Sequence, residues 1–542
     1  MPAILPADIQ APLLEVEKLR VTFPTEQGFS TVVRDLDFRL EAGRTLGLVG
    51  ESGSGKSVTA LALMGLVPPP GHATHGRIRL GGVDLLGAPE KALQKIRGQR
   101  MAMIFQEPMT SLNPVMTVGE QIAEVFRLHR KLDKANSRAA AINAMSRVGI
   151  EAAYQRCGDF PHHFSGGQRQ RLMIAMAVAA RPDLLIADEP TTALDVTVQA
   201  QILALLKELQ AETGMAMIFI SHDLAVVAEV ADEILVMRDG ARVEHGPAQH
   251  VLREPEADYT KTLLASRPRI GSHGEKSRQA ATPPLLIIED VIFRYRGTRN
   301  PAVDLTDTGP LTVAAGETLA LVGESGSGKT TLARLAAGLY RPDSGDISFA
   351  GTPVGQNREA ARRYGREVQM VFQDPYGSLD PRMNIGALVA EPLDIHRIGS
   401  RQTRRARVAE VLAQVGLTPE MTDRFPHEFS GGQRQRIAIA RALAIGPRLV
   451  ICDEAVSALD VTVQAQILSL LIRLRETYGL AYLFITHDLA VVDRIAHRVA
   501  VMKDGRIVEQ APKDTLFSSP AHAYTRRLLS AVPRLAIAED PA

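Results

Sequence analysis

Two lysines close matching glycine-rich runs. Gly50-Glu51-Ser52-Gly53-Ser54-Gly55-Lys56-Ser57 returns as Gly323-Glu324-Ser325-Gly326-Ser327-Gly328-Lys329-Thr330. Glycines let successive backbone N–H groups turn toward one anion, and a helix beginning there adds partial positive charge. Lys56 and Lys329 would reach phosphate oxygens, and Ser57 and Thr330 would offer hydroxyls to Mg²⁺. Two carboxylate pairs follow, Asp188-Glu189 and Asp453-Glu454, each ending an apolar run. The first acid of each pair suits Mg²⁺; the second suits a general base that polarises an attacking water. His222 and His487 end a further apolar run and could contact a terminal phosphate and sense its loss. Gln106 and Gln373 each end a short apolar run, before an acid and a proline, and could touch Mg²⁺ or water. The chemistry these residues share is phosphoryl transfer from a nucleotide.

Each of these residues needs an element to hold it. Leu46–Val49 and Leu319–Val322 read as buried strands leading into the glycine runs, and Ala60–Met64 and Leu332–Ala336 read as the helices after them. Leu184–Ala187 and Leu449–Cys452 read as strands whose carboxylates emerge at their C-terminal ends, where an open parallel sheet binds ligands. Met101–Phe105 and Val368–Phe372 deliver the glutamines. Phe164-Ser165-Gly166-Gly167-Gln168-Arg169-Gln170-Arg171 recurs as eight identical residues from Phe429 to Arg436. Ser-Gly-Gly opening a long helix gives a second anion-binding helix N-terminus at Ser165, Gly166 and Gly167, and again at Ser430, Gly431 and Gly432.

The remaining segments also pair up. Leu13–Phe23 and Leu285–Tyr295 read as strands ending in aromatics; Phe23 and Tyr295 either stack on a nucleotide base or pack in a core. Arg127–Ile150 and Arg405–Val415 read as parts of a helical subdomain with solvated charged faces. Short extensions carry Tyr259 and Tyr524, which lie 265 residues apart, the same interval that separates the signature serines, the glutamates and the histidines. The lysines are 273 apart, so the length difference between the repeats falls ahead of the signature. Arg267–Pro284 is aperiodic and rich in Gly, Ser, Arg, Pro and Ala, and reads as a flexible linker. The expected domains are therefore 1–266, a linker over 267–284, and 285–542.

Bulk properties narrow the classes. Lys and Arg total 62 against 61 Asp and Glu, a net charge of +1, which gives no field for nucleic acid. Cys157 and Cys452 are the two cysteines of the chain. They offer no disulfide framework or Cys-x-x-Cys site and fit a reducing compartment. Met1–Asp8 lacks a basic start and a sustained apolar core, so no signal peptide is expected there. The apolar run Leu172–Ala180 falls well short of the roughly 20 residues of a membrane span. The expectation is a soluble chain that meets membranes through partners.

In this order, the glycine loop, glutamine, Ser-Gly-Gly-Gln signature, carboxylate pair, Ala-Leu-Asp (193–195 and 458–460) and histidine closely resemble the nucleotide-binding domains of ATP-binding-cassette (ABC) transporters, twice over. Gln106–Pro114, Gln373–Pro381, Phe-Pro-His before each signature and the Tyr-Thr…Leu-Leu extensions resemble the dipeptide/oligopeptide/nickel importer subfamily, with both ATPases fused in one chain. The resemblance implies an α/β fold of tandem P-loop NTPase domains, each a mixed-sheet core plus a helical subdomain, with ATP and Mg²⁺ as cofactors. It implies a head-to-tail sandwich in which Lys56, Ser57, Gln106, Asp188, Glu189 and His222 face Ser430, Gly431 and Gly432. Lys329, Thr330, Gln373, Asp453, Glu454 and His487 would face Ser165, Gly166 and Gly167. It further implies two membrane permeases docking near the glutamine loops, an extracytoplasmic solute-binding protein, and a peripheral place on the cytoplasmic face of the inner membrane. Ala455-Val456 departs from Pro190-Thr191 beside the second glutamate. Neither extension carries a cysteine, so the iron–sulfur cluster found in some members is not expected. The rival class is a soluble twin-cassette factor acting on ribosomes, which would carry a longer charged linker. A DNA-repair cassette ATPase would need zinc cysteines.

Overall fold

The computed structural model describes residues 12–25, 28–107, 111–192, 194–266, 283–297, 301–355, 357–457 and 459–532. The expected linker, apart from residues 283 and 284, and residues 108–110, 193 and 458 lie outside them. The chain divides into two compact units, one running essentially to Ser266 and the other from Arg267 to Val532.

In the first unit, β1 (Leu14–Thr25), β2 (Gly28–Leu40), β4 (His72–Leu80) and β5 (Val83–Asp84) form an antiparallel sheet in the order β2-β1-β4-β5. The second sheet runs β10-β9-β3-β8-β7-β6, from β3 (Thr45–Val49), β6 (Met101–Ile104), β7 (Leu184–Asp188), β8 (Ala216–Ser221), β9 (Glu233–Arg238) and β10 (Ala241–Pro247). Its pairs are parallel except for β9 with β10. The apolar runs read as strands because both faces of this sheet are covered. On β8, Ala216, Ile218 and Ile220 pack with Leu14, Leu19 and Ile78 of the antiparallel sheet, while Met217 and Phe219 join Ile122 and Leu172 of the helices on the other side. The expected helical subdomain is present as helices Val118–Arg130 and Lys134–Arg147, packed against the signature helix Gly166–Val178.

The second unit repeats the topology. Its core sheet runs Val368–Val371, Leu449–Asp453, Ala481–Ile485, Thr318–Val322, Arg498–Lys503 and Arg506–Pro512. The expected strand Leu285–Tyr295 is observed as Pro284–Phe293, so Tyr295 lies just past its end. Among the described residues no helix is long and apolar enough to cross a membrane.

Candidate active site

The glycine loops leave the C-terminal ends of Thr45–Val49 and Thr318–Val322 and turn into helices Lys56–Leu63 and Lys329–Ala336. Gly55 and Gly328 cap these helices at φ +96° and +102°. A side chain there would also sit 2.7 Å from the Val32 carbonyl oxygen or 2.5 Å from that of Ala302, so only glycine fits the turn. Both lysines are buried and fold back over the loop. Lys56 Nζ donates to the Gly50 and Glu51 carbonyls at 2.7 and 2.8 Å, and Lys329 Nζ to those of Gly323 and Glu324 at 2.7 Å each. An ammonium pre-placed inside a ring of backbone is set to receive an anion. Burial holds the Lys329 pKa below its ordinary value.

The next residue reaches the carboxylate strand. Ser57 Oγ donates to Asp188 at 3.0 Å and Thr330 Oγ1 to Asp453 at 3.1 Å. Burial pushes the Asp188 carboxyl up to about 6 against the pull of that hydroxyl, and raises Asp453 for the same reason. A carboxylate that burial disfavours is one a cation would settle. A hydroxyl and a buried acid side by side are oxygen donors of the kind that would hold Mg²⁺.

Glu189 and Glu454 follow at φ +46° and +47°, in the left-handed region that side chains rarely adopt. Each backbone N–H is fixed by the neighbouring strand, on Ile220 or Ile485 at 3.0 Å. Such backbone strain collects at functional sites. Each glutamate meets a glutamine and a histidine singled out in the sequence for other contacts, with Mg²⁺ or water and with a phosphate. Gln106 Nε2 donates to Glu189 at 3.1 Å, and Gln373 Nε2 to Glu454 at 2.9 Å. His222 Nδ1 lies 3.4 Å from Glu189, and His487 Nδ1 3.5 Å from Glu454. Burial alone would raise Glu189, but the His222 hydrogen bond and charge, with Thr192 and Lys56, hold it at about 2. Glu454 is lowered in the same way, burial being outweighed by His487. Both histidines are raised; burial opposes the charge, and the glutamate overcomes it.

The signature residues build helix N-termini, as their types demand. Ser165 Oγ accepts from Gln168 N–H and Gln168 Oε1 accepts from Ser165 N–H, a reciprocal capping box. Ser430 and Gln433 repeat it. Within each unit this helix starts at an exposed serine.

Phe23 is half-buried in the core cluster of β1, with its ring against Gly71. Tyr295 is 40% exposed, donates or accepts at Thr331 Oγ1 over 3.0 Å, and meets Phe293 and Tyr340 edge-on. The sequence reading missed Thr192, whose hydroxyl donates to Glu189 at 2.7 Å. It also left the extension tyrosines without a role, although their register was visible. Tyr259 Oη accepts the Glu51 N–H at 3.3 Å and Tyr524 Oη that of Glu324 at 3.0 Å.

The ABC transporter family matches residues 33–192 and 307–457. The chain belongs to this family. A second family, the oligopeptide/dipeptide transporter C-terminal region, matches 243–288 and 508–541, the stretches that hold both extension tyrosines. The glutathione import ATP-binding protein GsiA of Pectobacterium atrosepticum is 48% identical over 96% of this chain and 89% of its own length. Its Escherichia coli K12 counterpart is 46% identical over the same shares. Among solved structures, cbiO1 from Clostridium perfringens, part of an ABC transporter complex, is 28% identical, with a TM-score of 0.40, covering 44% of this chain and 91% of that one. By its family and its curated relatives, this chain is an ATP-binding, ATP-hydrolysing transporter subunit of the α/β cassette fold. Its relatives set aside the ribosomal reading.

Proposed function

We propose that this ABC ATPase energises import of glutathione or similarly short peptides through two membrane permeases fed by an extracytoplasmic solute-binding protein. On this reading it sits peripherally on the cytoplasmic face of the inner membrane. The observation that carries the reading is the convergence, in each unit, of loop lysine, acid-bound hydroxyl and histidine-bound glutamate at the C-terminal ends of parallel strands. The relatives' import of glutathione supports the cargo.

Lys56 and Lys329 hold the β/γ-phosphates within the glycine loops Gly50, Gly53, Gly55 and Gly323, Gly326, Gly328. Ser57 with Asp188, and Thr330 with Asp453, hold Mg²⁺, aided by Gln106 and Gln373. When bound, the metal neutralises phosphate charge. Glu189 and Glu454 orient and polarise the attacking water, and His222 and His487 report the terminal phosphate. Ser165–Gly167 and Ser430–Gly432 lend their helix N-termini to the nucleotide held by the opposite unit, so that ATP favours a closed state and hydrolysis releases it. Phe23 and Tyr295 border the base.

The test is the full transporter in vesicles. Glutathione-loaded binding protein should stimulate ATP hydrolysis, and Glu189→Gln and Glu454→Gln should each lower turnover at least tenfold. Stimulation by an unrelated sugar-binding protein alone would refute the cargo. Unchanged turnover in either variant would mark that site as degenerate. For the closed state, Ser52→Cys with Ser430→Cys should cross-link only with ATP in a hydrolysis-blocked chain. The native cysteines are buried and do not compete.

A further inference from the structure

The peptide group joining Gly50 to Glu51 is gripped at both ends. Its carbonyl oxygen accepts from Lys56 Nζ at 2.7 Å, and its N–H donates to Tyr259 Oη at 3.3 Å. The second unit builds the same relay: Gly323 O accepts from Lys329 Nζ at 2.7 Å, and Glu324 N–H donates to Tyr524 Oη at 3.0 Å. The tyrosines lie 208 and 200 residues from the N–H groups they bind, and come from the extension helices Asp258–Ser266 and Ala523–Ser530.

The extension helices are themselves anchored to the core sheet. Glu244 on β10 accepts the N–H groups of Glu256 and Ala257 at 2.9 and 3.2 Å; Glu509 accepts those of Ala521 and His522 at 2.8 and 3.0 Å. A cation from the end of the neighbouring strand also lies over each ring, Arg238 at 4.9 Å from Tyr259 and Lys503 Nζ at 5.5 Å from Tyr524. In the second unit Arg527 of the extension helix also meets Glu324 at 3.3 Å. The helix is thus anchored, each ring lies beside a cation, and its hydroxyl meets the loop.

We infer that Tyr259 and Tyr524 are positioning residues for ATP binding, acting through the loop peptide that each shares with the phosphate-binding lysine. When the lysine ammonium leaves Gly50 or Gly323 to meet a phosphate, the carbonyl loses its strongest partner. The tyrosine bond on the other side of the same peptide then keeps that plane from turning, so the following N–H groups stay converged. Hydrogen bonds in series also polarise one another, so the tyrosine strengthens the cradle before nucleotide arrives. The C-terminal extension thereby becomes part of the phosphate site. This inference rests on the reading of the glycine loops as phosphate cradles.

The test compares the full-length chain with its Tyr259→Phe/Tyr524→Phe form. Phenylalanine keeps the ring and its cationic neighbours and deletes the hydroxyl that accepts the loop N–H. Losing one such hydrogen bond predicts a KM for ATP raised about fivefold, with kcat within about twofold. A fluorescent ATP analogue should bind more weakly by the same factor. A role confined to packing would lower the melting temperature and leave both quantities alone. A KM within twofold of the parent, whatever the melting temperature, overturns the inference. Lys56→Ala and Lys329→Ala separate the two claims: if these retain nucleotide binding, the cradle reading falls; if they abolish it while the tyrosine variant binds normally, only the positioning role falls.

Discussion

Oε2 of Glu189 and Nδ1 of His222 stand 3.4 Å apart, and the same oxygen also accepts from Gln106 at 3.1 Å and Thr192 at 2.7 Å. The proposed base is therefore held as a carboxylate by three neighbours, one of them a histidine drawn toward its charged form. The pH dependence follows from the two shifts. Glu189 is lowered to about 2, so its contribution is present above about 4.5 and is lost as pH falls toward about 2. His222 is raised, so its contribution is full below about 6.5 and is lost as pH rises through the raised value. The pair stabilises most between about pH 4.5 and 6.5. The stability lost on His222→Gln, measured by urea unfolding, should be larger at pH 5.5 than at pH 8.5. An equal loss at both would mean that no ion pair forms.

The chemistry was legible in the sequence because it is written in short contiguous motifs. Each motif sits at a strand-to-helix junction, where local geometry alone fixes what the side chain can reach. The Ser57–Asp188 contact spans 131 residues, yet both partners could be named because strand ends of a parallel sheet share one edge. Thr192 and the two extension tyrosines were not legible as site residues. Thr192 looks like an ordinary turn residue until the left-handed backbone of Glu189 swings the carboxylate back over it. Tyr259 stood out by its repeat register, but nothing local shows that its helix returns to the loop. The end of strand Pro284–Phe293 differed from the reading because the apolar alternation runs past the last strand hydrogen bonds, leaving Tyr295 to the aromatic cluster.

Asp188 carries a cost that a metal would remove. The residue is 4% exposed, and burial chiefly pushes its carboxyl up to about 6. The folded value lies above the unfolded one, so ionisation near neutral pH destabilises the ligand-free fold and protonation relieves it. Asp188→Asn keeps an acceptor for Ser57 Oγ without the charge. It should therefore raise ligand-free stability at pH 7.5 by about 2–3 kcal/mol while removing Mg²⁺-dependent hydrolysis. Metal affinity in the parent chain should weaken as pH drops below about 6, because the ligand must be ionised. Differential scanning calorimetry and Mg²⁺ titrations at pH 5.5 and 7.5 check both. A destabilised Asp188→Asn would show that the carboxylate is already satisfied.

The two sites differ beside the glutamate. Thr192 donates to the Glu189 carboxylate, whereas Ser457, at the matching place, donates to the Glu454 backbone carbonyl at 3.0 Å. Here Ala455 and Val456, both buried, replace Pro190-Thr191. Hydrogen bonds to charged groups contribute roughly twice what neutral ones do. Thr192→Val should thus cost about 2 kcal/mol, against about 1 kcal/mol for Ser457→Ala, in chemical denaturation at pH 7. Equal costs would show that the hydroxyl on the first carboxylate gains nothing from its charge.

The signature glycines allow stability and function to be separated. A side chain at Gly167 would meet Val198 Cγ1 at 2.6 Å, and one at Gly432 would meet Val463 Cγ1 at 2.4 Å; both positions are closed by packing. A Cβ added at Gly166 or Gly431 would meet no other element within 4 Å among the described residues, and both residues occupy the first helical position. Packing therefore gives no reason for glycine there. Alanine restricts the unfolded chain more than glycine and suits a helix, so Gly166→Ala and Gly431→Ala should leave the fold unchanged or stabilise it by about 0.5–1 kcal/mol. If the space above these helix N-termini is where the phosphate of an ATP must come, the same methyl groups should lower hydrolysis at least tenfold. Gly167→Ala should instead lose stability. Melting temperature and ATPase rate of the three variants decide it: full activity in Gly166→Ala and Gly431→Ala would show that no ligand approaches the signature serines closely.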